Sequence, residues 1–261
     1  MDFIMHQLML YIDGHPEEST YKALASQMLD SIEQLHSMTI YEMADRFFVS
    51  TATLSRFCRM LGYKNFSAFK NQLEVPYGFQ IDYTSDYLNQ PYETSFAYFK
   101  REALECLNQL CQTITPAMLC ELVRKIHDHT NVYIAGYMGY ELLFMYMQQK
   151  LGLFKKFIHV QPASLAPRSR KTDYGPADFV IVVSLRGSWN HQKEILPILQ
   201  KNNVPRILIS QNPNAYGKEL YDHFYMIGGS FDNNMGMIAL QFLIDQLILT
   251  YYHLYQSELI V

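Results

Sequence analysis

Between Arg46 and Leu73 the chain carries five cations, Arg46, Arg56, Arg59, Lys64 and Lys70, and no aspartate or glutamate. Residues 1–75 together hold six cations against nine acids, so positive charge is segregated into this interval. Segregation of that kind suits a phosphate backbone, which cations attract from within a Debye length while more distant acids are screened. Within TLSRFCRML the apolar Leu54, Phe57, Cys58 and Leu61 recur at helical spacing. Turning the helix by about 100° per residue sets Ala52, Ser55, Arg56 and Arg59 opposite that stripe. Small Ala52 and Ser55 admit a close approach, and the Arg56 guanidinium can take guanine O6 and N7 together. With Ser50 as N-cap, Thr51 as the next residue and Lys64 beyond the helix end, the candidate DNA-binding set is Ser50, Thr51, Ala52, Ser55, Arg56, Arg59 and Lys64. The competing reading is an ordinary solvated helix face.

A second helix must position this one. In IYEMADRF the residues Ile40, Met43, Ala44 and Phe47 repeat the apolar spacing, with Thr39 placed to cap and a short turn at Phe48-Val49. Two short helices about such a turn form a helix-turn-helix, whose second helix enters the major groove. Residues 1 to about 73 contain no strand-like run, so this domain reads as all-helical.

Residues 76–92, with Pro76 and Pro91, read as a linker. Helical spacing returns over Glu93 to Leu110, and Thr115-Pro116 is a helix start. From Asn131 the runs NVYIAG, FIHVQ, FVIVVS, RILIS and YMIGG alternate with loops or helical stretches. They predict strands buried on both faces of a parallel sheet covered by helices. Ligands in such sheets bind at the carboxyl ends of the strands, here the loops beginning at Gly136, Ser184 and Ser210. The division expected is therefore 1–75, 76–92 and 93–261.

The 261 residues are 49% hydrophobic and 18% charged with a formal charge of −4, which fits a folded chain without a general excess of cations. Cys58, Cys106, Cys111 and Cys120 lack metal or disulfide spacing, pointing to free thiols in a reducing, cytoplasmic setting. The N-terminus lacks a basic n-region, so no signal peptide is expected. Met235 to Tyr252 is interrupted by Gln241, Asp245 and Gln246, which argues against a membrane span. His127-Asp128-His129 reads as a solvated helix end, and Asn190-His191 lacks the partners of a catalytic pair. No metal, no cofactor and no enzymatic activity are expected. A lone helix-turn-helix meets one half-site, so a homodimer or tetramer is expected. Its interface would be the 93–110 helix and a C-terminal helix bearing Ile238, Phe242, Leu243, Leu247, Ile248 and Tyr251.

The stretch MTIYEMADRFFVSTATLSRFCRMLGYKNFSAFKNQL resembles the N-terminal helix-turn-helix of the RpiR family of bacterial transcriptional regulators. The resemblance rests on TIxExA at Thr39 to Ala44, VSxATxxRFCRxLGYxxF at Val49 to Phe66, and FxxFKxxL ending at Leu73. It implies a double-stranded DNA operator as partner and a C-terminal sugar isomerase (SIS) domain that senses phosphosugars for control of carbohydrate genes. The SIS pattern sets a GxGxS-like turn after the first strand and an SxSGxT-like turn after the third. Here these read Gly136-Tyr137-Met138-Gly139-Tyr140 and Ser184-Leu185-Arg186-Gly187-Ser188-Trp189. The implied ligand-binding set is Gly136, Tyr140, Ser184, Arg186, Gly187, Ser188 and Trp189. Gly136 and Gly187 are expected to turn backbone amides toward a ligand. Arg186 either forks onto an anion with Trp189 and Tyr140 stacking on a ring, or is ion-paired beside a closed pocket. The readings left open are an effector-responsive regulator, a regulator whose second domain only dimerises, and a phosphosugar isomerase.

Overall fold

A computed structural model describes residues 2–73, 90–136, 140–162, 173–187, 195–228 and 235–259. The chain divides into two compact units, and the expected linker lies mostly outside the described residues.

The first unit is all-helical among its described residues: α1 (Asp2–Gly14), α2 (Thr20–Asp30), α3 (Ile32–Leu35), α4 (Ile40–Arg46), α5 (Thr51–Met60) and α6 (Phe66–Leu73). Apolar spacing forms these helices and polar caps delimit them. Thr39 Oγ1 accepts from the Glu42 amide at 3.3 Å while Glu42 Oε2 accepts from the Thr39 amide at 2.7 Å, which satisfies two of the orphan donors at the start of α4. The expected stripe is the core: Met43, Ala44, Phe47, Leu54, Phe57 and Cys58 are buried with Leu24, Met28, Leu35 and Phe69. Tyr11 meets Phe57 edge-on at 5.1 Å, and the Tyr63 hydroxyl donates to Gln7 Oε1 at 2.6 Å, holding the end of α5 to α1. Burial pushes the Cys58 thiol up to about 12, so this cysteine packs and does not react.

The cap gives a direct test. Thr39→Ala is expected to lower the stability of the helical unit by about 1 kcal/mol in urea unfolding. The amide of Thr39 holds the Glu42 carboxyl below its ordinary value. Its contribution is therefore present above the usual glutamate range and is lost as pH falls through the lowered value.

The second unit runs α7 (Tyr92–Thr113), α8 (Pro116–Asp128), β1 (Asn131–Gly136), α9 (Glu141–Gly152), β2 (Ile158–Pro162), β3 (Asp178–Val183), α10 (Leu196–Lys201), β4 (Arg206–Ser210), β5 (His223–Met226) and α11 (Gly236–Tyr255). All strand pairs are parallel, in the order β2-β1-β3-β4-β5. One face, with Val132, Ile134, Ile181, Val183, Ile207 and Ile209, packs against α7, α8, α9 and α11. The other, with Tyr133, Val180, Val182 and Leu208, packs against α10 and neighbouring loops. The α/β expectation stands, with two adjustments. β5 begins two residues before the YMIGG run, and burial on both faces holds for β3 but not for the edge strands β2 and β5, where His159 is exposed and only Tyr225 of β5 is buried. An edge strand has a neighbour on one side only, so its side chains meet fewer partners.

Three further expectations change. α11 is long and apolar enough to cross a membrane by length and composition, despite Gln241, Asp245 and Gln246. In the fold its Ala239, Leu240, Leu243, Ile244, Leu247 and Tyr251 join the core, and Asp245 accepts from Tyr146 at 3.0 Å and Gln241 at 2.9 Å. Leu243, Leu247 and Tyr251 are therefore spent on the protein's own core and cannot form an interface; Met237, Leu249 and Tyr252 are the large apolar residues exposed on α11. His127 is not a solvated end either: its ring stacks on Tyr255 at 3.7 Å and its Nδ1 lies 3.0 Å from the Tyr251 hydroxyl.

Candidate functional site

In the first unit, α4 and α5 pack on each other with Phe47 to Ser50 between them. Ser50 Oγ accepts from the Thr53 amide at 3.0 Å and lies 2.9 Å from Thr53 Oγ1, so this hydroxyl is engaged as the cap of α5. Burial of Leu54, Phe57 and Cys58 fixes the rotation of the helix. Its outer side then carries exposed Ala52, Arg56 and Arg59 with half-buried Thr51 and Ser55, and exposed Lys64 follows. Arg56 and Lys64 have no hydrogen bond or ion pair among the described residues. The flanking cations differ: Arg46 donates to Ser31 Oγ at 3.2 Å, and Lys70 faces the Glu42 carboxylate. The structure exposes the basic face of α5 that the sequence singled out, whereas Arg46 and Lys70 have intramolecular neighbours that spacing alone did not reveal.

In the second unit, strand order reverses between β1 and β3, and Gly136 pairs with Val183 at the carboxyl ends of these two strands. The two turns singled out in the sequence therefore begin side by side at the point where open α/β sheets bind ligands. The Ser184–Gly187 turn is tied down on all sides. The Gly187 amide donates to Ser184 O at 2.8 Å, the Gln211 amide and Ser210 Oγ donate to Leu185 O at 3.0 Å, Asn212 Nδ2 donates to Arg186 O at 2.9 Å, and the Tyr216 amide donates to Gly187 O at 2.9 Å. Ser184 is 1% exposed, and its Oγ has no hydrogen-bond partner among the described residues. A buried hydroxyl left in that state costs about 1–3 kcal/mol.

The glycines act otherwise than expected. A β-carbon on Gly136 would lie 2.8 Å from the Phe144 ring and 3.1 Å from Val183 O, so the residue is small in order to let α9 close on the sheet. Gly187, at φ 64°, would meet Ala215 Cα at 2.6 Å, and its amide is already bonded to Ser184 O. Its amide is thus not turned to a ligand. Tyr140 is half-buried and edge-on to Phe144 at 6.4 Å, Arg186 is exposed, and Ser188, Trp189 and Asn190-His191 lie outside the described residues. Sequence reasoning missed two buried polar residues at this edge, Glu141 at 5% and Gln211 at 3% exposure. Glu141 opens α9, where a carboxylate suits the helix dipole. A polar residue directly after the apolar run RILIS was the available signal for Gln211.

Residues 11–78 match the helix-turn-helix domain of the rpiR family. An uncharacterised helix-turn-helix-type transcriptional regulator of Providencia stuartii is 22% identical over 204 residues, 74% of this chain and 70% of that protein. Among solved structures, the NanR protein of Vibrio vulnificus complexed with ManNAc-6P is similar over 97% of this chain and 93% of its own, at TM-score 0.52 and 19% identity. The sugar isomerase domain of an RpiR transcription factor from Sphaerobacter thermophilus matches 62% of this chain and 92% of its own, at TM-score 0.52 and 15% identity. Residues 11–78 thus carry a helix-turn-helix domain of the rpiR family, and the C-terminal unit has the sugar isomerase fold.

Proposed function

We propose that this chain is a transcriptional regulator that binds an operator through the outer face of α5 and senses a phosphosugar or similar anionic metabolite at the turns after β1 and β3. On the DNA side the supporting observation is the exposed Arg56, Arg59 and Lys64 in an interval without acids. Arg56 reads a base edge, Arg59 and Lys64 hold phosphates, and Thr51, Ala52 and Ser55 let the helix approach. Ser50 serves the same surface by capping the helix that presents it.

One observation carries the ligand reading: Ser184 Oγ is buried and unpaired, among the described residues, at the switch point of the sheet. A ligand oxygen there would satisfy it. The Vibrio vulnificus NanR protein, similar in fold, is complexed with ManNAc-6P, which supports the ligand class. Since Glu141 already places a buried carboxylate at the start of α9, the anion fits the Ser184 side with Arg186, and sugar hydroxyls fit the Glu141 side. Ser188 and Trp189 complete the reading from sequence alone. We assign the domain a sensing role and no catalysis, and place the protein in the cytoplasm. Leu142, Met145, Leu153, Leu249 and Tyr252 leave α9, its following turn and α11 with apolar surface that a second copy would cover, giving a homodimer.

Calorimetric titration against a panel of phosphosugars tests the ligand site. Wild type is expected to bind at least one of them. Ser184→Ala is expected to weaken that ligand by roughly tenfold or more while leaving the ligand-free protein as stable or about 1 kcal/mol more stable, since the variant removes an unpaired buried group. No binding by wild type would leave a domain that only dimerises.

A further inference from the structure

Phe48 stands in the turn between α4 and α5, two residues ahead of the cap of α5, and its backbone has φ 51°. That left-handed region suits glycine or asparagine; a bulky side chain there is an outlier under strain. The ring is also 93% exposed, the highest figure among the large hydrophobic side chains described. Nothing in the turn needs it. The Phe48 amide donates to Asp45 O at 3.1 Å and the Val49 amide to Ala44 O at 2.9 Å, so backbone bonds close the turn and half-buried Val49 anchors it. The left-handed backbone itself closes the turn, but glycine or asparagine would adopt it at less cost. An exposed phenylalanine at this position is a penalty with no return inside the fold, which is the mark of a contact made to something else.

We infer that Phe48 is a specificity-determining residue of the DNA interface, its ring packing on the 5-methyl group of a thymine beside the bases that α5 reads. The inference rests on α5 being the recognition helix. Three observations favour DNA over a protein as the occupant. The ring sits two residues from Ser50, at the end of α5 that enters the groove. Everything from Arg46 through Leu73 is free of acids, so the ring lies within the positive interval. The thymine methyl is the one apolar feature of the major groove, and phenylalanine is a suitable partner for it. Exposed Tyr41 and Asp45 share the outer face of α4 at a spacing of four, and the Asp45 carboxylate turns that face from phosphates. The contact is therefore confined to the turn.

The test uses the full-length protein and a duplex selected by the wild type from a random-sequence library. Anisotropy titrations at fixed salt compare wild type with Phe48→Gly, Phe48→Asn and Phe48→Leu, on that duplex and on copies in which single thymines are replaced by uracil. Glycine and asparagine both relieve the backbone and delete the ring. Both variants are expected to lose roughly fivefold or more in affinity while melting at or above the wild-type temperature, and leucine is expected to retain most of the affinity. Wild type is expected to lose a similar factor at one thymine-to-uracil position to which the glycine and asparagine variants are indifferent. Equal affinity of all four proteins would overturn the inference. So would a loss in the glycine variant that ignores every uracil and comes with a lower mass in light scattering, which would assign the ring to a second copy. An Arg56→Ala variant that loses binding while the Phe48 variants keep it would leave α5 as the recognition helix and remove Phe48 alone. Absence of any selected duplex would remove both.

Discussion

In a Gly187→Ala variant the C-terminal unit is expected to lose about 2–4 kcal/mol of stability, a sum of two independent effects. The first is conformational: Gly187 has φ 64°, where an added β-carbon costs about 1 kcal/mol. The second is steric. The new carbon would stand 2.6 Å from Ala215 Cα and 2.7 Å from Ala215 Cβ, so its neighbour is backbone and cannot swing aside. The loop cannot easily retreat, because the Gly187 carbonyl accepts from the Tyr216 amide and its amide donates to Ser184 O. Overpacking of this kind costs about 1–3 kcal/mol. Gly175→Ala is the control: its φ is not positive and an added β-carbon there meets nothing within 4 Å, so its stability should stay within about 0.5 kcal/mol of wild type. Urea unfolding followed by the fluorescence of Trp189, the chain's single tryptophan, reads both variants. Equal midpoints for the two would show that the Gly187 turn moves freely and that its hydrogen bonds to the β4 loop do not fix Ser184.

How far such features could be read from sequence depended on the range of the interaction. The helices α4 and α5 are legible because Thr39 and Ser50 cap within their own segments, and Met43, Ala44, Leu54, Phe57 and Cys58 repeat at the helical period. The strands are legible because a parallel sheet buried on both faces demands β-branched runs such as FVIVV, every residue of which is buried. The glycines were found, but their reason was not. Gly136 makes room for Phe144, and Gly187 makes room for Ala215, which stands 28 residues later on a different loop. Periodicity likewise could not divide α11 between core and surface, since a helix that is apolar all round gives no phase. The sheet and three helices decided that Leu243, Leu247 and Tyr251 face inward. Glu141 and Gln211 were overlooked for a related reason: a polar residue at a helix start or just after a strand reads as solvent-facing until the neighbouring loops are in place.

Replacing Arg56 and Arg59 together by alanine is expected to weaken binding to a selected operator duplex by about 2–4 kcal/mol, roughly 30- to 700-fold. Both side chains are exposed, three residues apart on the side of α5 opposite Leu54, Phe57 and Cys58. Truncation therefore leaves the core intact, and alanine is at least as good a helix former as arginine, so the loss can be read as contact energy. If Arg56 takes a guanine edge, it supplies discrimination between duplexes, whereas Arg59 and Lys64 supply phosphate attraction that every sequence shares. Lys64→Ala should accordingly weaken selected and scrambled duplexes alike and lower the slope of log affinity against log salt by about one. The double variant should bring the two duplexes close to one another in affinity, which a purely phosphate-binding pair could not do. Arg46→Ala is the internal comparison: its guanidinium donates to Ser31 Oγ at the start of α3, so its removal should leave discrimination unchanged. Anisotropy over a range of salt concentrations separates these cases. Discrimination that survives in the Arg56/Arg59 variant would move base reading off α5 and onto another element of the helical unit.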